Sequence, residues 1–209
     1  MSEAVEEKAV PKVQNELSES SPDLLILGDS ISLGYTPVVA AKLAGKVNVW
    51  RPEMNCGSTL VYKEHLLQWL GGRKWDMIHF NCGLHDINRS GNAAINRTDG
   101  ERRVPMDEYL ENLEWITDAI LAASKRVVWA STTPVPPETV GRTPGDEIEY
   151  NKAAEKLMKR KNIQINDLHS FILPFSPDCH PAPDNVHYTD EGYGKLGDEV
   201  ARVALAVLF

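Results

Sequence analysis

Short apolar runs alternate along the chain with longer segments of helical periodicity. The runs are too short for helices and stop at glycine or polar residues, as buried parallel strands do. They predict strands over 24–27, 47–50, 75–82, 127–131 and 163–168. Amphipathic segments predict helices over 32–43, 59–70, 105–124, 146–161 and 189–208. This alternation predicts a three-layer α/β/α fold around a doubly wound, five-stranded parallel sheet of flavodoxin-like type.

The first 21 residues differ in composition from the rest of the chain. They are rich in glutamate and serine and poor in apolar residues, so we expect a flexible leader over 1–21 and a single domain over 22–209. They also lack the apolar core of a secretory signal, which favours a cytoplasmic protein. A secreted or periplasmic protein whose leader had been removed would begin in the same way.

Charge and hydropathy exclude two classes of partner. The formal net charge is -8 and the sequence pI is near 5.3, whereas nucleic-acid binding needs a concentrated basic face. No apolar run approaches the roughly 20 residues that span a bilayer, so membrane insertion is not expected. The cysteines, Cys56, Cys82 and Cys179, are odd in number and are expected to be reduced.

The stretch Asp23–Leu33 holds the strongest candidate for chemistry. An apolar strand ends at Gly28, and Gly28-Asp29-Ser30 leads directly into a helix. The first N–H groups of a helix have no partner within it, so a serine at this turn has backbone donors beside its hydroxyl. To act as a nucleophile, Ser30 also needs a base, an orienting acid and donors for a developing oxyanion.

A turn before the last predicted helix contains a candidate base and acid. Asp184 and His187 are three residues apart, and on a tight turn a carboxylate can bind one imidazole nitrogen and fix its tautomer. Taken alone, a surface cap by Asp184 explains this turn better. In a doubly wound sheet, however, the loops after the first and last strands both reach the crevice at the carboxyl ends. The chain order Ser, Asp, His is also that of α/β hydrolases.

Together these motifs resemble the SGNH (GDSL-type) hydrolases, which are defined by four short sequence blocks. The similarity spans Asp23 to His187. It implies that Ser30 is the nucleophile and, through its own N–H, one oxyanion donor. It further implies that the Gly57 N–H is a second donor, that His187 is the general base and that Asp184 orients it. Gly57 is equally explained as a turn glycine with positive φ, and both roles can hold at once.

The third block departs from the family pattern Gly-x-Asn-Asp. The chain reads Gly83-Leu84-His85-Asp86, so His85 stands where the family has an asparagine that donates to the oxyanion. A neutral imidazole donates one N–H, and the resemblance therefore implies that His85 is the third donor. We expect two carboxylates to support the site, Asp86 by accepting backbone N–H bonds in its loop and Asp29 at the nucleophile turn.

The resemblance implies an esterase that requires no cofactor and forms an acyl-enzyme on Ser30. Its substrate is expected to be a small-molecule or carbohydrate ester. Two long connections, 84–104 and 133–145, are polar, which favours short acyl groups such as acetyl over the long chains of a thioesterase or lysophospholipase. The first connection carries Arg89, Arg97, Arg102 and Arg103, which are either solvated surface charges or part of a site for an anionic sugar.

Two alternatives of other classes remain open, and the sequence does not determine the oligomeric state. A metal site could draw on Cys179, His180, Asp184 and His187, with His79 and His85 near another strand, but the spacing fits no common zinc pattern. Such a site would leave Ser30 without a role. A binding module of the same fold with a degenerate site would predict no reaction at Ser30.

Overall fold

The structure, a computed structural model, describes residues 10–89 and 100–209. Its strands are β1 (Pro11–Val13), β2 (Asp23–Leu27), β3 (Asn48–Pro52), β4 (Met77–Phe80), β5 (Val127–Ala130) and β6 (Gln164–Asn166). They form one sheet in the order β1-β3-β2-β4-β5-β6. The five strands from β2 to β6 pair in parallel, which confirms the predicted doubly wound parallel sheet.

Helices flank this sheet. They are α1 (Ser30–Leu43), α2 (Thr59–Leu70), α3 (Met106–Ala123), α4 (Asp146–Arg160), α5 (Leu168–Ile172), α6 (Ser176–Cys179) and α7 (Asp190–Leu208). α1 packs against α7, α2 packs against α3, and α3 also contacts α4. The predicted long helices are confirmed, whereas α5, α6 and the 3-10 turn Leu173–Phe175 between them have no clear periodicity in the sequence.

Residues 10–21 differ from the expected leader. β1 pairs antiparallel with β3 and adds an edge strand to the sheet. Beyond β1, the Asn15 side chain donates to Val47 O at 2.8 Å and accepts the Val49 N–H at 3.1 Å. The prediction that this stretch lies outside the domain is therefore wrong, because backbone and amide hydrogen bonds attach it without any apolar pattern. Residues 1–9 of the expected leader lie outside the described residues.

β2 is the centre of the sheet and of the core. Its apolar residues Leu24 to Leu27 are all 0% exposed, as predicted from their unbroken apolar run. The chain leaves this strand at its carboxyl end, beside the corresponding ends of β3 and β4. The loops that carry the candidate chemistry therefore meet at one edge of the sheet.

A close helix contact fixes the two segments that carry Ser30 and His187 relative to each other. A Cβ atom added at Gly34 in α1 would lie 2.1 Å from the Tyr193 ring in α7. Only glycine at position 34 permits so close a contact. The contact lies near the first turn of both helices. The start of α1, with Ser30, and the start of α7, preceded by His187, are thus held together by the packing of α1 on α7.

Two further expectations can be compared with the described residues. All three cysteines are free and buried, as predicted. None of the described helices is long and apolar enough to cross a membrane.

Candidate active site

Ser30 begins α1 directly after the turn that ends β2. Asp29 is the N-cap residue, and its Oδ1 accepts the Ile31 N–H at 2.9 Å. Asp29 is 1% exposed, so its carboxylate supports the turn from inside the protein. Among the described residues the Ser30 N–H has no acceptor, since the first N–H groups of a helix have no carbonyl one turn earlier. This N–H is available to an oxyanion.

Arg51, the last charged residue of β3, binds both sides of the nucleophile turn. Its Nη1 donates to Ser32 Oγ and to Thr36 Oγ1, each at 3.1 Å, and its Nη2 lies 3.5 Å from Gly28 O. Arg51 is 2% exposed, and burial lowers its pKa. A buried guanidinium is costly unless several acceptors satisfy it, so this arrangement fixes the turn firmly. Arg51 was not among the residues predicted from the sequence, although a single arginine within an apolar strand was a usable signal.

His187 reaches Ser30 from the loop before α7. Its Nε2 lies 2.9 Å from Ser30 Oγ. Its Nδ1 lies 2.9 Å from Asn185 Oδ1, which also accepts the backbone N–H of His187 at 3.0 Å. Because that backbone group can only donate, the Asn185 atom is the amide oxygen and Nδ1 carries the ring proton. Nε2 is then unprotonated and can accept the proton of the Ser30 hydroxyl.

Asp184 does not occupy the position predicted for it. Its side chain is exposed, and within the described residues no hydrogen bond joins it to His187. Asn185 takes that place because a side chain two residues before His187 can close a turn onto its N–H and present the same oxygen to the ring. The orienting group in this structure is a neutral amide, as in Cys-His-Asn sites.

His180 supports the carbonyl end of His187. Its Nδ1 donates to His187 O at 2.8 Å, so its Nε2 accepts from Ser176 Oγ at 2.9 Å. Its ring centroid lies 4.5 Å from that of Tyr188. These contacts hold the loop between α6 and α7.

Among residues 10–89 and 100–209, no group of three or more His, Cys, Asp or Glu side chains is arranged to hold a metal ion.

Gly57 lies beside the nucleophile turn, since the preceding residue, Cys56, donates its N–H to Gly28 O at 3.1 Å. Its φ of 61° requires glycine, in agreement with the turn interpretation. Its N–H donates to Asn55 Oδ1 at 2.8 Å. Gly57 can therefore serve as an oxyanion donor only when its N–H leaves Asn55, and that role stays a prediction.

Asp86 connects the third block to the second. It accepts the Thr59 N–H at 2.9 Å and the Thr59 hydroxyl at 2.6 Å, so it caps α2 two residues after Gly57. The expected backbone bond is present, although it comes from α2. The second carboxyl oxygen, Oδ2, is buried without a partner among the described residues. Burial raises the Asp86 pKa from its ordinary value of 3.8 to about 7.

His85 lies partly exposed on the turn after β4. Burial lowers its pKa, the charges of Arg142 and Arg103 lower it further, and Asp29 opposes them. At neutral pH His85 is uncharged and can donate one ring N–H, as an oxyanion donor must.

A small cavity of about 10 Å³ lies behind the nucleophile turn, lined in part by Asp29, Tyr35 and Thr132. The hydroxyl groups of Tyr35 and Thr132 are buried without partners among the described residues. The cavity has room for about one water molecule and none for an acyl chain. This cavity therefore cannot hold the acyl chain of an ester bound at Ser30.

Solved structures of the same fold include ester hydrolases. Axe2, an acetylxylan esterase from Geobacillus stearothermophilus, has 17% identity and a TM-score of 0.73, covering 88% of this chain and 94% of its own. The acetyl xylan esterase AlAXEase has 15% identity and a TM-score of 0.69, covering 87% and 98%. LAE5, an alpha/beta hydrolase from the metagenome of Lake Arreo in Spain, has 17% identity and a TM-score of 0.70, covering 90% and 96%. At these identities the likeness establishes the fold.

The family follows from the sequence itself. No curated protein sequence matches this chain significantly. A model of the GDSL-like lipase/acylhydrolase family matches residues 26–195, a span that contains both Ser30 and His187. The chain therefore belongs to the GDSL-like lipase/acylhydrolase family and is a carboxylic ester hydrolase.

Proposed function

We propose that this protein is a serine esterase that removes short acyl groups, acetyl in particular, from carbohydrate esters. The observation that carries the proposal is the 2.9 Å hydrogen bond between Ser30 Oγ and His187 Nε2. It joins a hydroxyl at the start of a helix to a base whose tautomer is fixed by Asn185. This pair is the minimum that an activated serine nucleophile requires.

The reaction begins when His187 Nε2 takes the hydroxyl proton and Ser30 Oγ attacks the ester carbonyl. The proton on Nε2 then passes to the departing sugar oxygen, which leaves an acetyl group on Ser30. A water molecule gives its proton to Nε2 and attacks the acyl-enzyme. Release of acetate returns the serine proton and restores both residues.

Charge on the tetrahedral oxyanion needs preorganised donors. The Ser30 N–H is unpaired among the described residues and lies beside the attacking oxygen. His85 and the Gly57 N–H complete the proposed oxyanion hole, the latter by exchanging Asn55 Oδ1 for the substrate oxygen. Removing one such donor typically slows acyl transfer by about 100-fold or more.

Three observations support a carbohydrate ester with a short acyl group. Charged residues, Asp29, Arg142 and Arg103, act on His85, and charged surroundings are unfavourable for a long acyl chain. The cavity behind the turn has no room for one. Two of the solved structures with this fold are acetylxylan esterases.

Labelling with a fluorophosphonate probe tests the nucleophile. We expect the wild type and the control Ser170→Ala, an exposed serine on α5, to be labelled, and Ser30→Ala to remain unlabelled. Absence of labelling in the wild type would indicate a binding module with an inactive site. Equal labelling of Ser30→Ala would assign the nucleophile elsewhere.

A series of acyl lengths tests the substrate class. We expect kcat/KM for acetyl esters to exceed that for octanoyl esters, and acetate to be released from an acetylated polysaccharide. A preference for octanoyl would contradict the deacetylase proposal and favour a thioesterase or lysophospholipase.

A further inference from the structure

Two arginines of the 84–104 connection have a structural role. Arg89 Nη2 lies 2.5 Å from Asp146 Oδ2, and Arg102 Nη2 lies 2.7 Å from Asp146 Oδ1. Arg102 also pairs with Glu149. These ion pairs fasten the connection to the first turn of α4. The charges of Arg89 and Arg102 are thereby compensated within the protein.

Within the described part of the chain, Arg142, in the connection that precedes α4, lacks the ion pairs that Arg89 and Arg102 form. Its side chain is buried, with 9% of the residue exposed, and its Nε donates to the carbonyl of Leu84 at 2.8 Å. Among the described residues it has no carboxylate within ion-pair distance. A buried guanidinium that binds one neutral carbonyl is poorly compensated, which is a costly arrangement unless something else supplies negative charge.

Arg103 is the second uncompensated arginine. It is exposed, its backbone N–H donates to Asn88 O at 2.8 Å, and its side chain has no carboxylate partner among the described residues. Its charge acts on both Arg142 and His85. The segments around His85, Arg103 and Arg142 are adjacent, since Arg103 N–H donates to Asn88 O and Arg142 Nε donates to Leu84 O. Two of them bring a positive charge to the same region.

This region lies next to the nucleophile. The backbone carbonyl that Arg142 binds belongs to Leu84, the residue before His85. The carboxylate of Asp29, the residue before Ser30, is close enough to raise the pKa of Arg142 against the larger effect of burial. The charge of Asp29 acts on both Arg51 and Arg142, and its carboxylate already accepts the Ile31 N–H, so positive charge is in excess beside Ser30.

We propose that Arg103 and Arg142 form a subsite for a carboxylate on the substrate, next to the scissile ester. The guanidinium group is planar and binds carboxylates through two parallel hydrogen bonds, which suits a uronic acid residue of a carbohydrate. The inference rests on the proposed function and narrows its substrate class to acetyl esters of anionic sugars. A phosphate group on the substrate is the other anion that such a subsite could bind, so a phosphorylated ester is included in the test.

The test compares acetyl esters that differ only in charge. The probes are mono-acetylated methyl glucuronoside, the neutral methyl ester of its carboxyl group, the matched mono-acetylated glucoside and its phosphorylated analogue. We expect kcat/KM of the wild type to be about 10-fold higher for the glucuronoside than for either neutral ester, and this preference to decrease in high salt. A larger preference for the phosphorylated ester would overturn the choice of a carboxylate.

Two variants locate the preference. Arg103→Gln, which changes an exposed side chain, should reduce the preference about 10-fold while the neutral glucoside is hydrolysed at nearly the wild-type rate. Arg202→Gln, an exposed arginine on α7, is the matched control and should keep the preference. Equal kcat/KM for charged and neutral esters, or a preference unchanged in Arg103→Gln, would overturn the subsite.

A binding measurement separates this inference from the proposed function. Glucuronate and glucose are titrated into Ser30→Ala protein, with and without Arg103→Gln, and followed by ligand-observed NMR. Binding of glucuronate that Arg103→Gln abolishes supports the subsite even if no ester is hydrolysed, in which case only the proposed reaction fails. Hydrolysis of the neutral glucoside without any selective binding of glucuronate refutes the subsite and leaves the esterase intact.

Discussion

The Nδ1 atom of His187 lies 2.9 Å from the amide oxygen of Asn185. The same oxygen accepts the backbone N–H of His187, so one side chain fixes both the loop and the tautomer of the base. An amide orients an imidazole as a carboxylate does, but it contributes less to stabilising the imidazolium that forms during the reaction. The exposed Asp184, one residue earlier, is the group that the family pattern assigns to this position.

Alanine substitutions at these two positions distinguish the two assignments. We expect Asn185→Ala to lower kcat about 100-fold, because the His187 ring loses the acceptor that fixes it, and Asp184→Ala to change kcat by less than about 3-fold. Initial rates on an acetyl ester and thermal unfolding of both variants provide the measurement. A loss of about 1,000-fold in Asp184→Ala, with little change in Asn185→Ala, would assign the orienting role to Asp184.

Substitution of His85 tests the third oxyanion donor. His85→Asn restores the family residue and should retain much of the activity, whereas His85→Ala should lower kcat about 100-fold with a smaller effect on KM. Steady-state kinetics with an acetyl ester measure both constants. Equal kcat for wild type and His85→Ala would remove His85 from the oxyanion hole.

Arg51→Met tests whether the buried guanidinium holds the nucleophile turn. The variant loses the hydrogen bonds to Ser32 and Thr36 and should lower the free energy of unfolding by about 3 kcal/mol. It should also lower kcat, because the position of Ser30 is no longer fixed from β3. Urea denaturation and kinetics measure the two effects. Arg126→Met, an exposed arginine before β5, is the control, and equal stability of the two variants would contradict the anchoring role.

The pKa of Asp86 predicts how stability depends on pH. The folded protein keeps the Asp86 proton up to a pKa of about 7, whereas the unfolded chain loses it near the ordinary value of 3.8. Between these values the folded state binds more protons, so this carboxyl lowers the free energy of unfolding as pH rises. Above the folded pKa its burial cost is complete.

Asp86→Asn should remove this part of the pH dependence. The amide oxygen can still accept from Thr59, but the group no longer titrates. Urea denaturation over a pH series from about 4 to 8 should give a flatter profile for Asp86→Asn than for wild type. The exposed Asp107→Asn serves as control and should keep the wild-type slope. Parallel profiles for wild type and Asp86→Asn would show that Asp86 is not responsible.

The sequence by itself determined the layered fold and the position of the proposed nucleophile. Short apolar runs and helical periodicity are local properties of the chain, and steric and burial rules convert them directly into β2 to β6 and the long helices. Ser30 was identifiable because a strand that turns into a helix leaves its first N–H groups free. His187 followed from its place before the last helix. These inferences need only neighbouring residues and the topology of parallel sheets.

Only the tertiary structure decided which side chains pair. Asn185 rather than Asp184 faces the His187 ring, Gly57 donates to Asn55, and Arg51 supports the turn from another strand. The attachment of residues 10–21 through β1 and Asn15 was equally invisible in the sequence. Each of these contacts depends on side-chain direction within a turn or on segments that are distant in the chain. Such directions are set by packing and hydrogen-bond geometry, for which the order of residues carries no periodic signal.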